Sequence, residues 1–286
     1  MDLDKYIAEE MARYEGRCFP VKTGMLKRLL TKKQPCKNLH PNPDDEFSKP
    51  EVGPSYRIIS EYEQKIRRAK EHTYEEEKDP IIIEKMYPEG YLIINGHHRW
   101  GAALRMGVPN IYVKIVNLTH EADLRLMLER SIHDKRVTFD LDEVVFGKEG
   151  EEALERGLSF PFSLEYKEHL RIGIPALFNH LSVLGYDIWV YSSNFYSFDY
   201  LKQLFKRYHV KVDGVITGTA KRSQEAKDKY NRLIAEKYKS TIHVDRNMVL
   251  KTYTGSKDFE EKEIPPRDLS WSHAVMTIID EMEKDA

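Results

Sequence analysis

The chain has 286 residues, 41% hydrophobic and 32% charged, which gives room for two domains with cores of their own. With 45 Lys and Arg against 47 Asp and Glu the formal charge is −2, so no global cationic excess argues for a nucleic-acid surface. Two cysteines, Cys18 and Cys36, make neither a disulfide framework nor a metal box, no apolar run is long enough to span a membrane, and Met1 to Lys5 opens no signal peptide; cytoplasmic residence is the expectation.

Leu3 to Tyr14 has helical spacing, and Lys22 to Thr31 reads as a second helix whose lysines, with Arg28, form either a local polyanion patch or a solvated face. Residues 35–60 carry no readable signal, and Glu75-Glu76-Glu77 reads as a solvated run. Residues 80–116 then read as strand, turn, helix, strand. Pro80 to Ile83 and Tyr91 to Ile94 flank a turn at Pro88-Glu89-Gly90, and Asn95-Gly96-His97-His98-Arg99-Trp100-Gly101-Ala102-Ala103 leads into a strand from Ile111 to Val116. A strand that enters a glycine turn and then a helix gathers backbone N–H groups and the positive helix end at one point. His97, His98 and Arg99 add hydrogen-bonding and cationic groups there, which makes an anion site, most simply for phosphate. The bland alternative is a capping and packing role for the two histidines. Adjacent in sequence, they lack zinc-ligand spacing.

The Gly96-His97-His98-Arg99 turn, followed by Ala102, Ala103 and Gly107, resembles the signature of the ParB/sulfiredoxin-like superfamily over roughly residues 35–118. The resemblance implies a nucleotide ligand (ATP, ADP or CTP) held at Gly96, His97, His98 and Arg99. His97 stands where a sulfiredoxin has its catalytic cysteine, so the form is nearer the free-serine-kinase branch. That branch needs an upstream carboxylate, and Asp44, Asp45 and Glu46 all qualify. Residues 1–118 are thus expected to form a small α+β domain. Residues 119–134, with Leu124, Leu126, Met127 and Leu128, are expected to form a packed linker helix.

Val137-Thr138-Phe139-Asp140-Leu141-Asp142-Glu143-Val144-Val145 follows. Two carboxylates one residue apart at a strand end face the same side and repel, an arrangement that a cation or a shared proton relieves. It suits a divalent-metal site in which one carboxylate attacks and the other moves a proton. A solvated turn, or the metal pair of a nucleotide-sugar glycosyltransferase, are the competing readings of Asp-x-Asp alone. Downstream, the apolar run Tyr186 to Tyr191 ends in Ser192-Ser193-Asn194, and Thr241 to Val244 ends in Asp245-Arg246-Asn247. A helix from Ser223 to Tyr238 lies between them, with Lys221, Lys227 and Lys229 near its start. Strands alternating with helices imply an open α/β sheet whose strand ends meet at one spot.

This ordered set resembles the motifs of the haloacid-dehalogenase superfamily over residues 135–286. The resemblance implies a Rossmann-like domain with a parallel sheet and an aspartyl-phosphate phosphohydrolase. Asp140 is then the nucleophile and Asp142 the acid/base, with Ser192 (or Ser193) and Lys227 (or Lys221 or Lys229) on the phosphoryl oxygens. Mg2+ is held by Asp140, Asp245 and the Asp142 carbonyl. Glu143 stands where glycine is common, and Arg246 where a second acid is usual. About 50 residues separate Asp142 from Ser192, enough for a flap over Gly147 to Phe160 and a helix over Glu165 to Leu184, but not for a large cap. The site is expected to be open, with the first domain as a substitute cap and a phosphorylated small molecule or nucleotide as substrate. Two rivals stand beside this: a bifunctional enzyme whose first domain is a nucleotide-dependent kinase, and a nucleotide- or nucleic-acid-binding module whose second domain is inactive.

Overall fold

The computed structural model describes residues 2–14, 16–70, 79–147, 150, 153–265 and 270–284, and the chain divides into two compact units, Met1–Asn117 and Leu118–Ala286. Each is a mixed α/β body with its own sheet.

The first unit contains α1 (Leu3–Tyr14), β1 (Phe19–Pro20), α2 (Met25–Leu30), β2 (Lys33–Pro35), β3 (Leu39–His40), α3 (Tyr56–Lys70), β4 (Ile81–Tyr87), β5 (Tyr91–Asn95), α4 (His97–Arg105) and β6 (Asn110–Val116). Its sheet runs β2-β6-β4-β5-β3, with β1 paired to β4. β4 and β5 alternate buried apolar residues (Ile81, Ile83, Ile93) with less buried ones, and α4 lays Trp100, Ala102 and Ala103 on them. α3 was not foreseen in the sequence. The acidic run at Glu75 to Glu77 lies outside the described residues.

The second unit contains α5 (Glu121–Arg130), β7 (Lys135–Asp140), α6 (Ile174–Val183), β8 (Asp187–Tyr191), α7 (Phe198–Arg207), β9 (Gly214–Ile216), α8 (Gln224–Lys237), β10 (Ser240–Val244), β11 (Met248–Tyr253), β12 (Phe259–Glu263) and α9 (Trp271–Lys284). The sheet order is β12-β11-β10-β7-β8-β9, with β10, β7, β8 and β9 parallel and β11 and β12 antiparallel. Val137, Phe139, Ile188, Val190 and Ile242 are fully buried or nearly so, as strands covered on both faces require. Residues 119–134, expected as a linker, belong to this unit: Leu124 and Met127 of α5 pack with Trp189, Tyr230 and Ile234.

One expected helix is shorter than its sequence promised. The spacing predicts a helix over Glu165 to Leu184, but α6 starts at Ile174, preceded by a single 3-10 turn at Phe162–Leu164. Gly173 caps it with φ +83°, and a Cβ there would meet Ser272 Oγ at 1.9 Å. The residues before it go into extended pairing instead: Arg171 N donates to the Val145 carbonyl at 2.9 Å and Ile172 N to the Ala153 carbonyl at 2.8 Å. Part of the flap, residues 148, 149, 151 and 152, lies outside the described residues. No described helix is long and apolar enough to cross a membrane, and Cys18 and Cys36 are free thiols.

Candidate active site

Parallel register brings the carboxyl ends of four strands to one edge. Val244 of β10 pairs with Phe139 of β7, so Asp245 lies level with Asp140. Asp140 pairs with Tyr191 of β8, and Tyr191 with Ile216 of β9, so Ser192 and Thr217 follow at the same edge. The chain leaves β7 through a π-helical turn, Leu141–Val145, in which Leu141, Val144 and Val145 are completely buried and anchor the backbone. Asp140 caps that turn: its Oδ1 accepts from Asp142 N at 2.7 Å and Glu143 N at 2.9 Å. Arg171, 5% exposed, donates to the Glu143 carbonyl at 3.2 Å and lies 4.7 Å from the Trp271 ring, which clamps the turn from outside.

Burial raises the Asp140 carboxyl above the ordinary range. Its two N–H bonds oppose that rise, and the neighbouring charges of Asp142 and Asp245 add to it. The carboxylates of Asp142 and Asp245 thus lie close enough to Asp140 to make an electronegative spot around it. Ser192, fully buried, donates its hydroxyl to Asp142 Oδ2 at 2.7 Å and accepts from Asn194 N at 2.9 Å. Thr219 donates both N–H and Oγ1–H to the Ser192 carbonyl, each at 3.2 Å. Asp140, Asp142, Ser192 and Asp245 therefore come together.

The lysines divide. Lys229 is committed to Glu121 on α5 at 2.6 Å. Lys227, half-buried in the first turns of α8, makes no ion pair among the described residues to Asp140, Asp142 or Asp245. Lys221 closes the 3-10 turn Thr219–Lys221, two residues from the threonine that holds Ser192. Among the described residues no group of three or more His, Cys, Asp or Glu side chains is disposed to hold a metal ion. The set implied for Mg2+ has only Asp140 and Asp245 as carboxylates, completed by the Asp142 carbonyl. Asp245 Oδ1 is itself engaged by Arg246 N at 2.6 Å. A pocket of about 560 Å3 opens beside Asp142 and Glu143.

The Gly96 turn of the first unit has different employment. Gly96 has φ +101°, and a Cβ would press to 3.1 Å against Ile81 Cγ1, so glycine is required there. His97, 4% exposed, accepts at Nε2 from Asn42 N at 3.1 Å, and its Nδ1 lies 3.6 Å from Asp45. His98 accepts at Nε2 from Ser55 N at 3.0 Å. An imidazole accepting at Nε2 carries its proton on Nδ1 and is neutral in that bond. Phe47 packs against both rings, at centroid distances of 5.3 and 5.1 Å. Arg99 donates to Asp79, reaching its Oδ2 at 2.6 Å and its main-chain carbonyl, and stacks on Tyr62. The side chains expected to meet an anion are thus holding the 42–55 loop and Asp79. Of the three candidate acids, Asp45 is the one that faces His97.

Sequence reasoning missed Arg171, Asn194, Thr219 and the flap residues that line the pocket. None carries a motif of its own; only the strand register and the flap pairing bring them to the site.

Residues 36–132 match the family model of the ParB N-terminal domain, and no curated protein matches the chain. The matched stretch takes in β3 to β6 of the first unit, leaves out β1 and β2, and continues through α5 of the second. Such a domain points to a nucleotide or nucleic acid as ligand.

Proposed function

We propose that the second unit is a magnesium-dependent phosphohydrolase of the type its motifs resemble, working through a phosphoryl group on Asp140, and that the ParB N-terminal domain binds a nucleotide such as ATP, ADP or CTP. The observation that carries the first part is the convergence of Asp140, Asp142, Ser192 and Asp245 at one strand edge, with the Ser192 hydroxyl on Asp142 at 2.7 Å.

Asp140 has Oδ1 fixed by two N–H groups, which aims the other oxygen at an incoming phosphorus. That oxygen forms the new P–O bond as the ester P–O bond breaks, and Asp142 gives the leaving oxygen its proton. Asp142 then takes a proton from the water that releases phosphate from Asp140. Ser192 and Lys221 or Lys227 serve the phosphoryl oxygens. An all-oxygen set of Asp140, Asp245 and the Asp142 carbonyl fits Mg2+, which when bound neutralises charge on the phosphoryl group. With Arg246 in place of a second acid, two carboxylates would hold it, which is within the usual number for Mg2+.

Hydrolysis of p-nitrophenyl phosphate with and without magnesium, by wild type and Asp140→Asn, tests the reading. Metal-dependent turnover lost in the variant supports it. A second reading, a nucleotide- or nucleic-acid-binding module with an inactive second unit, draws on Arg246 and on the lack, among the described residues, of three His, Cys, Asp or Glu side chains disposed to hold a metal ion. Absence of turnover from any phosphate ester would favour it. The kinase alternative has no such observation behind it, since His97 and His98 are spent on main-chain N–H groups.

A further inference from the structure

We infer that the pocket beside Asp142 is a leaving-group subsite for a phosphorylated nucleoside, free or at the end of a chain, with Lys167, Glu168 and His169 as its specificity residues. This rests on the phosphohydrolase reading and names its substrate class. The pocket holds about 560 Å3 and is lined by the catalytic-loop residues Asp142 and Glu143, by Asn194, by the aromatic rings of Phe146 and Tyr196, and by Lys167 to His169. That volume lies within the range of small-molecule sites.

The wall is stiff. Tyr196 stacks on Tyr200 at 6.4 Å with planes 9° apart and meets the Phe146 edge at 5.9 Å. Lys167, Glu168 and His169 are held as firmly. Gly147 N donates to the His169 carbonyl at 3.1 Å and Glu155 N to the Leu170 carbonyl at 2.8 Å, with the Leu170 side chain fully buried beneath. The segment thus lies as the middle strip between residues 145–147 and 153–155. Tyr200 donates its hydroxyl to Glu168. Lys167 spends one N–H on the Ser163 carbonyl at 2.7 Å and keeps two. The His169 ring lies on Gly157, where a Cβ would come within 2.6 Å of Cε1.

The composition of this wall selects among phosphate esters. A sugar phosphate offers hydroxyls but no flat face for Phe146 and Tyr196. A bisphosphate calls for cations alone, yet Glu143 and Glu168 stand beside Lys167 and His169. A nucleobase has both a flat face and an edge of mixed donors and acceptors, which an aromatic wall, a carboxylate, an amide and two basic groups together can meet.

The test is calorimetric titration of the full chain, in magnesium, with adenosine 5′-monophosphate and with ribose 5-phosphate. Wild type is compared with Lys167→Ala/His169→Ala, and the melting temperature of each is recorded. The nucleotide is expected to bind at least tenfold tighter than ribose 5-phosphate, and the double variant to lose about tenfold for the nucleotide at unchanged melting temperature. Should that variant melt early, Lys167→Gln/His169→Gln replaces it. Equal affinity for the two ligands, or a stable double variant that binds the nucleotide as wild type does, overturns the inference. Tighter binding of a short 5′-phosphorylated oligonucleotide than of the mononucleotide assigns a chain end; equal binding assigns the free nucleotide. If the expected binding pattern holds while no ester releases phosphate, the subsite stands and the phosphohydrolase reading falls. If every ester is hydrolysed alike and nucleotide binding shows no preference, the reverse follows.

Discussion

The two units each send a strand into a polar turn, Gly96 in one and Asp140 in the other, and the two turns spend their polar groups differently. At Gly96 the imidazoles of His97 and His98 and the guanidinium of Arg99 are taken up by nearby main chain and Asp79, so the turn fastens a loop. At Asp140 one carboxylate oxygen is fixed by the turn itself, which also carries Asp142, while Ser192 and Asp245 arrive from other strands at the same edge. A polar motif marks where chemistry is feasible; its partners decide whether it is structural or reactive.

The largest effect that would sharpen this contrast is on turnover. Asp140→Asn should lower phosphate release at least ~10^3-fold, since the nucleophile is removed. Release within a factor of three of wild type would put Asp140 on the structural side with Gly96. Next, His97→Ala should destabilise the first unit by about 2 kcal/mol in urea unfolding, because Asn42 N loses its acceptor and Phe47 a packing partner. Unchanged stability together with lost nucleotide binding would break the comparison, making the two turns alike. Among the lysines, Lys227→Ala is expected to reduce phosphate release about tenfold, and Lys229→Ala to leave it near wild type because Lys229 serves Glu121. The opposite ranking would move the phosphoryl contact along α8.

The smallest effect is on stability. Asp140 titrates above its ordinary value when folded, so at neutral pH its ionised form costs stability, a cost that fades as pH falls through the folded value and is gone below about pH 4. In metal-free buffer at pH 7 Asp140→Asn should therefore melt about 2 °C higher than wild type, and the gain should vanish in acid. A lower melting temperature at pH 7 would show that the carboxylate stabilises its turn by more than its burial and the neighbouring charges cost.

Much of the second unit was legible because apolar strands covered on both faces are unmistakable: Asp187–Tyr191 and Ser240–Val244 stand within a residue of their sequence limits. The polar residues ending those strands could be ordered into a site from sequence alone. β11 and β12 could not be foreseen. Phe259-Glu260-Glu261-Lys262-Glu263 is too charged to read as a strand, and β11 buries Lys251, whose Nζ reaches the Met282 carbonyl at 3.1 Å and Glu283 at 3.2 Å. Residues 165–173 read as the start of a helix because Leu170 and Ile174 have helical spacing, while the pairing that overrides it is with distant residues. The fate of His97 and His98 was equally hidden, since Asn42 and Ser55 give no sign in sequence of meeting them.

Trp271 has a further consequence. Its indole N–H donates to the Arg246 carbonyl at 2.8 Å, one residue beyond Asp245, and its ring carries Arg171, whose guanidinium holds the Glu143 carbonyl. The chain has 3 tryptophans, and the other two, Trp100 and Trp189, are wholly sealed from solvent. Trp271 is thus the half-exposed fluorophore wired to both acidic turns, and a quencher such as iodide reaches it in preference to the others. Intrinsic emission is then expected to respond to any rearrangement of the two acidic turns, with no dye and no substrate turnover required.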